Sequence, residues 1–277
     1  MEYKDIYEKI YEYCKVKSLS ASENGTNTPP RVNKIIEILD SLNIPYTHES
    51  FVKDNSKKLN IFHNIYCKGD STLVFTAHHD ITGNSEGAND NSASVINLIA
   101  LKILRPEANI AFTDGEEIGG VGAKQLAKNI NSIFPDTTSI LNLELTGLGG
   151  KRFFLGKSRG RIQYISEFIK DMDKFKGMHP IPEVNTPFND SVIFNRYEID
   201  SVVINPLPPL IDNKPRESFL VTKNIVFTDG TPLDSSIITL CNGRYDTIDT
   251  ISIDDMKEFV EEVLVPIFDE WQDTNQW

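Results

Sequence analysis

Residues 76–94, TAHHDITGNSEGANDNSAS, gather two histidines, two aspartates and a glutamate in a glycine-broken segment directly after the apolar run STLVF. Imidazole and carboxylate groups together make a nitrogen and oxygen ligand set of the kind zinc takes. A lone strand-end histidine such as His78 can be an ordinary satisfied core residue. Followed two residues later by Asp80 it acquires a second reading, because a ligating imidazole donates its other N–H to a carboxylate that fixes the tautomer. His79 points to the opposite strand face by period-two alternation and receives no ligand role. Asp90 stands where a helix begins, a place open both to an N-cap and to a carboxylate between two cations.

Two further acidic sites follow along the chain. An adjacent pair such as Glu116-Glu117 is solvated charge in most proteins, yet FTDGEEIGG sets it on a glycine-flanked turn after a buried strand. There one acid can ligate a metal while its neighbour accepts a proton from an activated water. Glu144, in LNLELTG, interrupts an apolar strand, and a buried carboxylate needs a partner that a cation can supply.

The elements that must position these groups alternate. STLVFTAH, NIAFT and ILNLELT have strand character, and NSASVINLIALKIL, GVGAKQLAKNI and RIQYISEFIKDM have helical periods. Such alternation builds βαβ units on a mostly parallel sheet, and open sheets of this kind bind ligands at the carboxyl ends of their strands. Three successive strands carry metal-capable groups at those ends. Upstream, residues 3–13 and 32–42 have helical spacing, separated by the turn-rich SLSASENGTNTPP. Downstream, DSVIFNRYEI and DSVVINP add a helix and a strand, and SIDDMKEFVEEVLVPIFDEW opens on a cap-like Ser-x-x-Asp before an amphipathic helix. Residues 206–235, rich in Pro and Asp, are expected to be an insertion, either over the site or as a surface excursion.

Length and charge narrow the classes. A chain of 277 residues fits one α/β domain over 1–277. Its formal charge of -12, from 28 basic and 40 acidic residues, opposes binding to nucleic acid or anionic membrane. The charged N-terminus lacks an apolar signal core, and SVINLIALKIL is too short and broken to span a bilayer. Cys14, Cys67 and Cys241 are scattered, which fits reduced thiols and a cytoplasmic location.

The ordered motifs AHHD, GANDNSAS, DGEEIGGVGAKQLA and LNLELTG resemble the zinc aminopeptidase family with paired metal ions, which also holds the glutaminyl cyclases and the transferrin-receptor ectodomain. The likeness runs over about residues 30–205, where PFNDSVIFNRYEIDSVVI is similar to the family's later Asp-containing helix and strand. It implies a three-layer αβα sandwich around a mostly parallel mixed sheet, phosphorylase/hydrolase-like. It further implies one zinc on His78 and Glu144, a bridging Asp90, a second zinc on Glu117, Glu116 as general base, Asp80 orienting His78, and Asp190 beside the site.

One piece departs from that pattern. The family closes its second zinc site with a histidine four residues before an Asp-Thr, and CNGRYDTID places Asn242 there, before Asp246-Thr247. His179 reaches the place only by an unusual loop path. The second site keeps Asp90 and Glu117, with the Asn242 amide oxygen or Asp246 as further candidates, an oxygen-rich set more tolerant of manganese or magnesium than a histidine-bearing one. The expected function is therefore a metallo-aminopeptidase with one or two zinc ions, acting on a peptide or small-molecule amide. The alternatives are a binding module of the same fold and a glutaminyl cyclase, whose single zinc, as the resemblance implies, needs the missing histidine.

Overall fold

The computed structural model describes residues 3–16, 28–55, 58–82, 85–156, 163–178, 181, 183–207 and 246–274. Asn242, His179 and all of the expected 206–235 insertion beyond residue 207 lie outside the described residues.

A 3-10 turn, Tyr3–Glu8, runs into helix α1 (Lys9–Cys14), and α2 (Pro30–Ser41) follows with proline at its first position, where the missing N–H costs nothing. Strands β1 (Thr47–Asn55) and β2 (Lys58–Cys67) form an antiparallel ribbon. Then come β3 (Leu73–His78), α3 (Ala93–Leu104), β4 (Asn109–Thr113), α4 (Val121–Ile133), β5 (Ser139–Leu143) and β6 (Phe153–Gly156). The remainder is α5 (Tyr164–Asp171), β7 (Glu183–Val184), α6 (Asp190–Arg196), β8 (Asp200–Pro206), α7 (Ile253–Phe259) and α8 (Val265–Thr274). Ser252 caps α7 by accepting from the Asp255 N–H at 3.2 Å, as its Ser-x-x-Asp sequence predicts.

All eight strands form one sheet in the order β1-β2-β4-β3-β5-β8-β6-β7. The central four, β4, β3, β5 and β8, are mutually parallel, while β2 joins β4 and β6 joins β8 antiparallel. Period-two alternation divides the central strands between two cores. Leu73, Phe75, Ala77, Ile110, Phe112, Leu141 and Leu143 face the layer of α1, α2, α3, α5, α7 and α8. Val74, Ala111 and Ile140 face α4 and α6. The expected three-layer αβα sandwich around a mostly parallel mixed sheet is therefore the observed fold.

Helix α3 is buried from Ala93 through Lys102, apolar nearly all round, because it lies on the sheet beneath the N-terminal and C-terminal helices. Its Lys102 ammonium is satisfied by the carbonyls of Lys68, Pro106 and Ala108. The β1–β2 ribbon was not expected from sequence. No residue from Thr47 to Lys53 is buried, so this edge strand lacks the apolar alternation by which strands are read.

Helix α8 closes the larger core through Trp271, which is fully buried, donates from its indole N–H to Thr72 Oγ1 at 2.9 Å and meets Tyr164 and Phe168 edge-on. Trp271→Ala should cost about 3–5 kcal/mol, the usual range for removing a large buried aromatic. Urea unfolding measures this, and a loss below about 1 kcal/mol would show that α8 does not close the core.

Candidate metal centre

The three ligand-bearing strand ends lie side by side, because β4, β3 and β5 are neighbours in the sheet. His78 is the last residue of β3, and the ladder continues past it through the His79 N–H to the Thr113 carbonyl at 2.9 Å. The His78 ring is buried and engaged on both sides. Nδ1 faces Asp80, 3.4 Å from Oδ1 and 3.2 Å from its carbonyl, while Nε2 lies 3.0 Å from Asp90 Oδ1 and 3.3 Å from Glu144 Oε2. His79 turns away, its Nε2 against the His63 carbonyl at 2.8 Å, as strand alternation requires.

Asp90 belongs to a wide turn, Ala88–Ser92, in which Asp90 and Asn91 have non-helical dihedrals and share a cis peptide bond. It therefore precedes α3 without capping it, and its carboxylate faces His78 instead. The turn begins at Gly87, whose φ of 62° is left-handed and where an added Cβ would meet Ile81 Cγ2 at 2.2 Å. Both flanking asparagines tie it to the segment after β5. Asn89 Oδ1 accepts from the Gly147 N–H at 2.7 Å, and Asn91 Nδ2 donates to the Leu143 carbonyl and to Glu144 Oε2, both at 2.9 Å. Asn142 donates to the other Glu144 oxygen at 3.0 Å.

Asp246 anchors the same turn. Its Oδ1 accepts the Asn89 N–H at 2.7 Å and the Asp90 N–H at 3.4 Å, and its Oδ2 accepts the Ser85 hydroxyl at 2.7 Å. Oδ1 thus holds the Asp90 turn directly, and Oδ2 does so through Ser85, whose Oγ accepts the Gly87 N–H at 2.8 Å. Burial raises its carboxyl to about 7.

The Glu116-Glu117 turn leaves β4 through Asp114 and Gly115 and enters α4 at Gly120, whose φ is 68°. A Cβ there would crowd Ile193 Cγ1 at 2.7 Å and Asp190 Oδ1 at 3.1 Å. Asp80 holds this turn as well as His78, since its two oxygens accept the Glu116 and Glu117 N–H groups at 3.1 and 3.2 Å. Glu116 is 8% exposed. Among the described residues the group whose ligand atoms converge is His78, Asp90 and Glu144, and Glu117 stays outside it. Asp190, at the start of α6, is fully buried; Oδ2 accepts the Thr113 hydroxyl at 2.6 Å, and Oδ1 has no hydrogen-bond partner.

Electrostatics tell how much charge this space holds. Burial pushes Glu116 up to about 10, with His78 opposing and Glu144, Asp190 and Asp80 adding to the rise. Burial likewise raises Glu144, and it lifts Asp190 to about 7 and Asp114 to about 8. Burial disfavours charge on His78, yet Glu144, Asp80 and Asp90 together raise it well above its ordinary value. Asp80 moves the other way, because the His78 hydrogen bond and charge outweigh the cost of burial. One imidazole cannot balance so many buried carboxylates, and a divalent cation on one nitrogen and two carboxylates fits both the donor set and the charge. His78, Asp90 and Glu144 are the residues that would hold it.

The mixed αβα sheet thus carries the His78, Asp90 and Glu144 group at the carboxyl edge of its central strands. The chain belongs to peptidase family M28, whose model matches residues 60–264. Solved structures share the fold at low identity. The Legionella pneumophila LapA aminopeptidase is 14% identical with a TM-score of 0.62, over 97% of this chain and 69% of that one. The Bacteroides thetaiotaomicron glutaminyl cyclase bound to N-acetylhistamine is 17% identical with a TM-score of 0.66, over 96% and 97%. A Zn-dependent exopeptidase from Parabacteroides distasonis is 14% identical with a TM-score of 0.65, over 96% and 98%. Comparison with curated protein sequences found no match.

Behind the site, burial lowers His79 and His63 to about 4, with His48 adding to the effect on His63. The unfolded chain therefore takes up protons first as pH falls below 6.5, and the stability these neutral rings contribute is lost progressively down to about pH 4. His63→Gln should lose less stability than the wild type between pH 7 and pH 5, by on the order of 1–2 kcal/mol. Urea midpoints at the two pH values test this, and parallel losses would rule it out.

Proposed function

We propose that the protein is a metallo-aminopeptidase of family M28, hydrolysing the N-terminal bond of peptides. The observation that carries this reading is the convergence of His78 Nε2 with Asp90 and Glu144 at 3.0 and 3.3 Å beside the buried Glu116. Zinc held there would supply Lewis acidity towards the scissile carbonyl and a lowered pKa for water. We assign Glu117, with Asp90, to a second and weaker site that accepts zinc or a harder divalent ion.

The chain's own residues then do the rest. Glu116, whose burial favours the neutral acid and whose carboxylate form a cation held beside it would favour, accepts the proton of the attacking water and returns it to the departing amine. Asp80 keeps the His78 tautomer with its lone pair on Nε2 and fixes the Glu116 backbone, so base and ligand keep a constant separation. The net charge of -12 and the acidic crevice favour a substrate with a free α-amino group. Among the described residues no helix is long and apolar enough to cross a membrane. The buried free thiols of Cys14 and Cys67 support a cytoplasmic setting.

Glu116→Gln should retain metal uptake by elemental analysis and lower aminopeptidase turnover by about 10²–10⁴-fold, the usual weight of a general base. Full turnover in the variant would sink the assignment, and pyroglutamate formation by the wild type from a glutaminyl peptide would replace hydrolysis with cyclisation.

A further inference from the structure

Arg31, the second residue of α2, lies outside the span matched by the family model and is only 1% exposed. Its guanidinium carbon lies 4.1 Å from the centroid of the buried Tyr13 ring. Nε donates to the His79 carbonyl at 2.7 Å, Nη2 donates to Ser92 Oγ at 2.9 Å, and Nη1 has no hydrogen-bond partner. Among the described residues no carboxylate lies within ion-pairing distance of it. A guanidinium does not shed its proton in a protein, so this is a full positive charge buried against dipoles and a ring face. An apolar side chain of similar volume would commonly stabilise such a place as well or better, which makes stability a poor reason for the charge.

The two acceptors supply a better reason. The His79 carbonyl belongs to the residue after His78. The Ser92 hydroxyl, two residues after Asp90, donates a hydrogen bond to the Gly87 carbonyl at 2.5 Å, and the Ser92 N–H donates to the same carbonyl at 2.9 Å. That pair of bonds closes the turn carrying Asp90. The planar fork of Arg31 therefore spans the His78 end of β3 and the Asp90 turn, and rigid two-point donation is what arginine offers and lysine does not. We infer that Arg31 is a positioning residue that sets the spacing of His78 and Asp90, so that the N-terminal helices become part of the metal site. This rests on the metal reading above.

The test is zinc affinity, by competition with a chromophoric chelator, for wild type, Arg31→Met, Arg31→Lys and the core control Val32→Ala on the same helix. Hydrogen exchange of residues 76–94 is followed in the metal-free proteins. Arg31→Met should bind zinc at least about tenfold more weakly, as loss of an outer partner does, with faster exchange in 76–94. Val32→Ala, though destabilised, should bind as the wild type does. If Arg31→Met does not fold, Arg31→Lys should still show weakened binding. A wild type that binds zinc beside an Arg31 variant of equal affinity overturns the inference and leaves the metal reading intact. A wild type that takes up no zinc overturns the metal reading, and this inference with it.

Discussion

The Asp80 carboxylate is the joint on which the site depends. It faces His78 Nδ1 with one oxygen, which also accepts the Glu116 amide, and accepts the Glu117 amide on the other, so one carboxylate ties the end of β3 to the turn after β4. The β3–β4 ladder reaches only one bond past His78, from the His79 N–H to the Thr113 carbonyl, so beyond it the two following turns are tied to each other through Asp80. Asp80 stays ionised because its partners outweigh its burial, whereas Glu116, Glu144 and Asp190 are all driven upward. That division separates the carboxylate that organises the centre from those whose charge a cation would balance.

Neutral amides do part of the remaining positioning. Asn89 and Asn91 flank Asp90, and their amides reach across to the segment after β5, so the Asp90 turn and Glu144 are held by hydrogen bonds that add no charge to an already acidic space. The one added carboxylate, Asp246, is directed at backbone N–H groups and the Ser85 hydroxyl, which satisfies it locally. Asp246 thereby supports the turn that carries Asp90.

The two halves of the site are consequently unequal. His78, Asp90 and Glu144 come together from a strand end, a turn anchored on both sides, and a strand end clamped by Asn91 and Asn142. Glu117 shares its backbone anchor with Glu116 but stands outside the converging group. In the proposed two-ion arrangement, the histidine-bearing group would suit zinc, and Glu117 with Asp90 would offer the second ion oxygen ligands, which tolerate harder ions.

The candidate residues, their order and their place at three strand ends were legible in the sequence. Apolar runs ending in His78, in the Glu116-Glu117 turn and at Glu144 are local patterns, and βαβ alternation forces such ends to one edge of the sheet. The unread parts were those without a local signature. Strand β1 lacks apolar alternation because it is the edge of the sheet, and Asn89, Asn91 and Arg31 are ordinary polar residues until the chain folds. The sequence by itself determined which residues could bind and where the strands present them. Only the tertiary structure decided how those residues are held, because each restraint, Arg31 to His79 and Ser92, Asn91 to Glu144, Asp246 to the Asp90 turn, joins segments far apart in the chain. No periodicity of one segment records the acceptor that another will bring.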